Sequence, residues 1–443
     1  FAWDINGRAT TVLRGGYGIY YDQILGAVIS QSRSVFPTFV TYNLAGLSPT
    51  QGGTRLTPFN PNLLARSGTL NVYNQLAVLG TDVVDTLINL RRFANPIPGR
   101  ASTFPGGPGF VLPAYDLVTP YAQHWALTLE HQLGRNYLLS AAYVGTRGTH
   151  LLRFATPNYG PNVLPVVTGA FLQGGAETVF TGFAAAPGQN FARTFPFLGS
   201  FTSIESNTNS SYHGLQVQLD KRLSQGIQFT TAYTWSHAID EVSDVFDLAG
   251  TRALPQNSLD RNSERGNASF DLRHRFVSSA IWELPFARRN VVLGGWQTAA
   301  IITLQTGQPL TFYSGFDVNL DGNLTDRLNS TSGIVEINDG SLRYGIPTDP
   351  AAQRSLLAIV GRDGAVGRNT FRAPGVATVD LSVNKHFRFS ERRDFELRLE
   401  FFNLFNRAHY GSPVNQLDFP GVGRSVDTRI PARVVQLGGR LYF

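Results

Sequence analysis

The sequence predicts an all-β, transmembrane antiparallel β-barrel, and three observations carry that prediction. Apolar and polar residues alternate in segments of about ten residues, the length that a tilted strand needs to cross a bilayer. Short and long connections between these segments alternate along the chain. Charged residues make up only 15 % of the 443 residues, whereas roughly 25 % is usual in soluble domains.

About ten strands are expected. In the clearest of them, 122–133, Trp125, Leu127 and Leu129 occupy alternate positions with mainly polar residues between them. Such alternation is typical of a strand with lipid on one face and a wet or filled lumen on the other. The complete set is 10–21, 122–133, 135–146, 212–223, 226–237, 274–284, 295–306, 376–389, 394–405 and 433–443.

The connections between these strands sort by length. The long ones are about 22–121, 147–211, 238–273, 307–375 and 406–432, and the others are short. Bacterial outer-membrane barrels have short periplasmic turns and long external loops. If the last strand runs inward, all the long connections fall outside, so we expect them to be extracellular loops.

Aromatic residues near the strand ends predict girdles at the two membrane interfaces. They are Tyr20, Tyr21, Trp125, Tyr143, Trp235, Trp282, Trp296 and Tyr442.

Composition excludes several kinds of chemistry. The chain has no Cys, so disulfides, thiolate metal sites and cysteine nucleophiles are excluded. No apolar run approaches the ~18 residues of a transmembrane helix. The net charge of +6 comes from scattered arginines rather than a basic stripe, which argues against nucleic acid as a partner. No G-x-S-x-G or H-E-x-x-H motif occurs, and we expect no enzyme activity, no catalytic residues and no bound cofactor.

One loop carries a possible calcium motif. Asp317, Asn319 and Asp321 open it with the D-x-N-x-D-G spacing that lets oxygen ligands wrap a cation. Asp326 supplies a closing acid, two residues earlier than in an EF-hand. The alternative is an Asx-rich turn that is satisfied by its own backbone.

An acidic group follows the strand 226–237. Asp240, Glu241, Asp244 and Asp247 come directly after His237, at the expected external rim. They favour either a solvated acidic loop, a cation or substrate contact, or a rim protease with His237, Asp240 and Asp244 as candidates. Spacing alone does not position a general base.

Charged residues on the expected lumen side require partners. Those on 394–405 lie two positions apart on one face, so they must pair with each other, with a neighbouring strand or with a plug. The set is Glu130, Asp220, Arg222, Glu396, Arg398 and Glu400.

Several stretches resemble the Oar-like group of TonB-dependent outer-membrane receptors. They include FAWDINGRATTVLRGGYGIYYD at 1–22, TPYAQHWALTLEHQLG at 119–134, AAYVGTRGTHLL at 141–152 and FDLRHRFVSSAIWELPF at 270–286. GGWQTAAIITLQTGQPLTF at 294–312, FNLFNRAHYG at 402–411 and the final LGGRLYF complete the set, in family order.

The end of the chain also resembles the outer-membrane insertion signal that the barrel-assembly machinery reads. Its apolar residues occupy alternate positions up to an aromatic terminus, and they are Val435, Leu437, Gly439, Leu441 and Phe443.

The resemblance implies a 22-stranded barrel with a plug, preceded by a carboxypeptidase-regulatory-like domain. Only about ten strands are visible, and no plug or TonB box precedes them. We therefore expect 1–443 to be the C-terminal portion of such a barrel, although closure of ten strands on themselves stays open. An isolated half would leave unpaired strand edges in lipid.

The resemblance also implies location and function. We expect the outer membrane of a Gram-negative bacterium, contact with its lipid, and TonB-dependent uptake of an unidentified extracellular ligand. TonB would act through the N-terminal part that is not in this chain. The alternatives are a closed ten-stranded rim protease and a structural or adhesive surface barrel.

Overall fold

A computed structural model describes residues 1–24, 26, 28, 111–158, 202–246, 253–285, 290, 293–315, 318–319, 321, 323, 325–359, 361–390, 393–417, 419 and 421–443. These residues form strands and two short helical turns. The strands are β1 (Ala2–Asp4), β2 (Thr11–Tyr21), β3 (Val111–Pro113), β4 (Tyr121–Leu133), β5 (Tyr137–Ala155), β6 (Thr202–Ser224), β7 (Ile227–Asp240), β8 (Gly266–Asn267), β9 (His274–Glu283), β10 (Trp296–Gln305), β11 (Pro309–Leu310), β12 (Val335–Asp339), β13 (Leu342–Gly345), β14 (Phe371–Arg372), β15 (Val376–Ser390), β16 (Arg393–Phe402), β17 (His409–Tyr410), β18 (Thr428–Ile430) and β19 (Val434–Tyr442). A 3-10 helix covers Arg261–Glu264 and α1 covers Pro350–Ser355. None of the helices in these ranges has the length and apolarity to cross a membrane.

One large sheet dominates the fold. Its order is β1-β2-β4-β5-β6-β7-β9-β10-β15-β16-β19, and every neighbouring pair on this path is antiparallel. Its long strands coincide with the expected ones, so the all-β antiparallel fold class is confirmed. Within the described ranges, β19 pairs only with β16 and β1 only with β2, which leaves both edges of the sheet open.

Tight turns join successive strands at one end of the sheet, which we call the short-turn end. Between β6 and β7, Gln225 and Gly226 both have positive φ values, of 55° and 76°. Two such residues make the turn whose twist matches a right-twisted hairpin. A Cβ on Gly226 would lie 2.8 Å from the carbonyl oxygen of Glu283, so glycine is required there. We call the opposite end of the sheet the long-loop end.

The strands β5 and β6 extend further than expected into the connection 147–211. Their regular pairing runs to Gly148 opposite Ser210, where the register shifts and His150 adopts a φ of 55°. Beyond this bulge the strands continue, and Phe154 and Ile204 are fully buried. Both faces are covered there, so the apolar–polar alternation that reveals the rest of each strand is lost.

The register puts the apolar positions of neighbouring strands in common rows. Leu127 pairs with Tyr143, Tyr143 with Leu215, and Leu215 with Trp235. All four side chains are exposed, with 39–55 % of their surface accessible. An exposed face of this composition fits lipid better than water. We call it the apolar face, and we call the other side of the sheet, which carries Glu130 and Gln218, the polar face.

The aromatic prediction is wrong for two residues. Tyr20 lies on the polar face, with its ring centroid 5.2 Å from that of His124. Tyr442 also lies there, and its hydroxyl donates to Glu396 at 3.1 Å. Nearness to a strand end does not fix the face, because a shift of one position moves a side chain to the other side. The predicted tryptophans, Tyr21 and Tyr143 lie on the apolar face.

The only two lysines of the chain occupy equivalent places on the apolar face, at the short-turn end. Lys221 donates to Ser224 O at 2.8 Å and to Ile227 O at 2.7 Å. Lys385 donates to backbone carbonyls of Gly294 and His386. Each ammonium group also lies near an aromatic ring, Tyr137 for Lys221 and Phe387 for Lys385. The lysines therefore bend back to the turns and away from lipid.

Candidate functional site

The long connections fold into a layer at the long-loop end. We call it the loop layer, meaning the described residues of 22–28, 111–120, 151–158, 202–209, 241–273, 306–375 and 403–432. It is packed around two clusters of buried apolar side chains. One contains Leu310, Phe312, Leu328, Tyr344, Leu356, Val366, Phe371, Ala373 and Leu417, and the other contains Val28, Val111, Leu152, Phe154 and Ile204. Connections that only span a gap need no such cores, so this layer is a folded surface.

A buried ion pair joins two of the long connections. Arg327 donates from Nη1 to Glu264 Oε1 at 2.7 Å, and both side chains are at most 6 % exposed. Arg327 also donates to the carbonyls of Val366 and Ser263, at 3.0 Å each. Glu264 accepts in addition from the backbone N–H of Gln256 at 3.0 Å. The bonds to Glu264 and Ser263 join the two connections, and the bond to Val366 fixes the guanidinium within its own connection.

Two further arginines hold the same connection, 307–375, to the ends of the strands. Arg368 donates to the carboxylate of Asp240 and, at 2.8 Å, to its backbone oxygen. Arg372 donates to Asp271 at 2.7 Å. Asp271 also accepts the backbone N–H of Ala238 at 2.8 Å. These pairs fix the loop layer directly onto the end of β7.

The acidic group after His237 does not form a catalytic arrangement among the described residues. His237 Nε2 lies 3.0 Å from Asn267 Oδ1, and Asp240 is buried against Arg368. Asp244 accepts the backbone N–H of Phe246 at 3.3 Å. In a triad-like site a carboxylate orients the histidine base, and among the described residues no hydrogen bond links His237 to either Asp240 or Asp244.

The other acidic residues of that group are structural or outside the described ranges. Glu241 pairs with Arg261 at 3.4 Å and accepts the backbone N–H of Asn209 at 3.2 Å. Asp247 lies outside the described residues. The solvated-loop interpretation is therefore wrong for Asp240 and Glu241, because both are buried. Arg368 from the connection 307–375 pairs with Asp240, and Arg261, from the same connection as Glu241, pairs with Glu241.

The possible calcium loop is described only in part, since Asp317 lies outside the described residues. Asn319 Oδ1 accepts the N–H of Asp321 at 3.0 Å, and Asp321 Oδ1 accepts the N–H of Asn323 at 2.8 Å. Asp326 accepts the N–H of Asn319 at 3.1 Å. The bonds from Asp321 to Asn319 and from Asn323 to Asp321 are those of successive Asx turns, and the bond to Asp326 closes the loop. Within the described ranges, no group of three or more His, Cys, Asp or Glu residues could hold a metal, and calcium binding stays a prediction.

The polar face of β16 carries the charge ladder that the sequence indicated. Arg398 lies 2.8 Å from Glu396 and 3.8 Å from Glu400. Glu396 is directly opposite Arg440 on β19. Elsewhere on this face Arg14 pairs with Glu130 at 3.2 Å. These charges thus pair on one strand and between neighbours.

The remaining lumen candidates differ in their contacts. Asp220 accepts from Thr230 at 2.7 Å and from Gln218 at 2.8 Å, both by side-chain bonds. Arg222 is exposed near the turn between β6 and β7. Neither forms an ion pair with a described residue.

The residues of the predicted insertion signal lie on the edge strand. Val435, Leu437, Gly439 and Leu441 all point to the apolar face of β19, opposite Phe401, Leu399, Leu397 and Phe395. Phe443 follows the strand and is 97 % exposed. The geometry agrees with the alternation, and the signal itself stays a prediction.

Sequence reasoning missed the arginines that organise the loop layer. Arg327, Arg368 and Arg372 lie 63 to 128 positions from their partners. The sequence around these arginines shows no apolar–polar alternation, and no sequence motif identifies pairs so far apart. Only the excess of arginine over lysine hints at them, since the planar guanidinium suits buried bidentate pairing.

A first prediction concerns the Arg327–Glu264 pair. Replacing Arg327 with Met leaves Glu264 charged and buried, which costs about 3–5 kcal/mol. We expect faster hydrogen exchange at backbone amides of 253–273 and 325–373. Adding Glu264→Gln removes the stranded charge, keeps the acceptor for Gln256 and restores much of the protection.

Arg14→Gln is the control for this prediction, because it breaks the more exposed pair with Glu130, worth about 0–1 kcal/mol. Equal exchange in Arg327→Met and Arg14→Gln would show that the buried pair does not hold the layer together.

A second prediction concerns pH. Burial, and secondarily the charge of Arg407, lowers the pKa of His409 from its ordinary value of 6.5. The unfolded hairpin then binds a proton more readily than the folded one, so stability present above pH ~6.5 is lost as the pH falls. Amides of β17 and β18 should exchange faster at pH 5 than at pH 7.5, relative to the intrinsic rates. His409→Gln should abolish this difference, and an unchanged pH response in that variant would contradict the assignment.

The chain is similar to one protein family and to several solved structures. A family model described as "Outer membrane beta barrel domain" matches residues 1–436. Among solved structures, the outer membrane transporter YddB from Escherichia coli is 9 % identical, covers 100 % of this chain and 40 % of its own, and has a TM-score of 0.47. The ferric-catecholate import receptor Fiu from E. coli K12 is 13 % identical, with 74 % and 29 % coverage and a TM-score of 0.36.

The pyoverdine outer membrane receptor FpvA from Pseudomonas aeruginosa PAO1 is 10 % identical, with 74 % and 30 % coverage and a TM-score of 0.37. The chain thus spans less than half the length of each of these three proteins. No curated protein matches it. The family match covers nearly the whole chain, which therefore belongs to the outer membrane beta-barrel domain family and resides in the outer membrane of a Gram-negative bacterium.

Proposed function

We propose that this chain is the C-terminal barrel part of an Oar-like, TonB-dependent outer-membrane receptor. The receptor imports an unidentified ligand that is too large or too scarce to diffuse through porins. The observation that carries the proposal is the folded loop layer with its buried Arg327–Glu264 pair. A preformed surface at the mouth of a barrel loses little conformational entropy when a ligand binds to it.

The open edges of the sheet support a larger barrel. The outer edges of β19 and β2 have ladder positions that no described strand pairs, and lipid does not tolerate such edges. Further strands of the same receptor would close the barrel by pairing with both edges. A 22-stranded barrel has a lumen wide enough for a plug.

The polar face supports the same assignment. Most charges on the ladder of Glu396, Arg398 and Glu400 pair with each other, although 45 % of the Arg398 side chain is accessible. A plug domain inside the barrel would bury this face and meet these charges. When TonB acts on the plug from the periplasm, paired charges on the wall allow the plug to move without leaving an isolated ion behind.

Two other functions would use the same sheet and loop layer. A rim protease is not favoured, because Asp240 is committed to Arg368 and His237 to Asn267. A structural or adhesive barrel would use the same folded loop layer without transport. Transport and adhesion differ in their need for TonB.

A third prediction therefore tests TonB dependence in cells. Strains lacking this gene, lacking TonB, or lacking both would be grown on limiting ferric catecholate, cobalamin or maltodextrin as probes. We expect the gene deletion to slow growth on one limiting nutrient and to add nothing in the strain without TonB, because both act in one uptake step.

A defect that adds to the loss of TonB would contradict transport through this receptor. So would a deletion that leaves uptake of all three probes intact but abolishes surface attachment, which would favour the adhesive barrel.

A further inference from the structure

We propose that Arg147 and the side chains beside it bind the phosphate of an anionic lipid headgroup, at the border between the apolar face and the loop layer. The partner is a membrane lipid, and it makes this strip of the outer wall a specific lipid site. The inference goes beyond ligand uptake and does not depend on it.

Arg147 lies on the apolar face. It pairs with Gln123 on one side and Ser211 on the other. On the same face, the residues of β5 between Tyr137 and Arg147 are all uncharged. They are Leu139, Ala141, Tyr143 and Gly145. Arg147 is thus the first charge that this face of β5 presents above the short-turn end.

The depth of Arg147 matches a headgroup. Lys221 pairs with Tyr137, and Ser211, ten positions earlier on β6, pairs with Arg147. At about 3.4 Å per residue and a tilt of about 40°, these two rows are about 26 Å apart along the membrane normal. The apolar band of an outer-membrane barrel is about 25 Å tall. Lys221 and Arg147 therefore mark its two borders.

The backbone changes at the same level. The regular ladder between β5 and β6 ends one residue after Arg147, at Gly148, and the buried part of the loop layer begins beyond the bulge. Arg147 is therefore on the last stretch of β5 whose apolar-face side chains remain uncovered by protein.

The two borders differ in the hydrogen bonds that their cations make. The three N–H donors of the Lys221 ammonium group are used in hydrogen bonds to Ser224 and Ile227, so none is left for a lipid phosphate. The Arg147 side chain is exposed, and no hydrogen bond or ion pair joins it to the part of the chain that the structure describes. A guanidinium offers a phosphate two parallel N–H donors.

A histidine beside Arg147 adds a further donor. His213 is two positions from Ser211, so it lies diagonally to Arg147, within about 7–8 Å between Cα atoms. The Tyr143 hydroxyl lies 2.8 Å from His213 Nδ1, and the two rings stack with centroids 6.2 Å apart. With that hydroxyl as donor, the ring proton is on Nε2, which can donate to a phosphate oxygen.

An apolar surface next to the phosphate site indicates that the bound molecule is a lipid. Trp125, which is half-buried with its ring 6.1 Å from that of His213, and the exposed Leu127 continue the apolar surface toward the short-turn end. Acyl chains attached to the bound phosphate would cover this surface. A free phosphate would gain nothing from it.

The fourth prediction uses the protein in phosphatidylcholine nanodiscs that contain increasing phosphatidylglycerol. Retained phosphatidylglycerol is counted by native mass spectrometry after ejection from the disc. We expect Arg147→Gln to weaken retention about tenfold or more, since a charge-assisted pair is worth about 1.5–3 kcal/mol. Arg147→Lys should lose less, because it keeps the charge without the planar fork, and His213→Ala should show a smaller loss.

Arg275→Gln is the matched control, because Arg275 is an exposed arginine on the polar face of β9, opposite Thr234. It should retain the lipid like the unsubstituted protein. An equal loss in both arginine variants, no loss in Arg147→Gln, or full competition by millimolar inorganic phosphate would overturn the proposal.

Discussion

The need to pair backbone N–H and C=O groups inside a membrane governs this structure. Lipid offers no hydrogen-bonding partner, so each strand must find its partners in its neighbours. The antiparallel path from β1 to β19 meets this need between its two edges, with an unbroken register between adjacent strands over the apolar band. The two-residue side-chain period of the sheet, its apolar and polar faces and its open edges all follow from that ladder.

That constraint explains why the membrane part could be predicted. Every second residue of a membrane strand must meet lipid and is therefore apolar. The alternation in four separate segments thus predicts the lipid-facing residues Leu127, Tyr143, Leu215 and Trp235, which the register places in one row. The parity of a position, and not its place near a strand end, fixes the face. Tyr20 and Tyr442 lie near strand ends but on the polar face, because the girdle criterion does not consider parity.

The loop layer could not be predicted in the same way. Glu264 and Arg327 meet because two connections fold over each other, and no local period reflects a contact between residues 63 positions apart. Asp240 illustrates the difficulty. Its acidic neighbours in the sequence favour a solvent-exposed loop, whereas Arg368, 128 positions away, pairs with the buried Asp240 carboxylate. In the calcium motif, the side chains of Asn319 and Asp321 accept backbone N–H groups in successive Asx turns.

The lysines and the arginines have different hydrogen-bond partners, which follow from the geometry of their donors. The two lysines, Lys221 and Lys385, suit convergent backbone carbonyls at the short-turn end, because an ammonium group has three tetrahedral donors. The arginines of the loop layer suit carboxylates, because their donors lie in one plane. Neither kind of site depends on the proposed uptake of a ligand, so both describe how the barrel wall and its mouth are built.

The most direct test of the account asks which face of β6 meets lipid. The chain has no cysteine, so Leu215→Cys and Gln216→Cys each give a single labelling site on adjacent residues. Each would carry the same fluorophore in vesicles that contain lipids with nitroxide groups on their acyl chains. The account predicts strong quenching at 215 and little at 216, and equal quenching at both positions would contradict it.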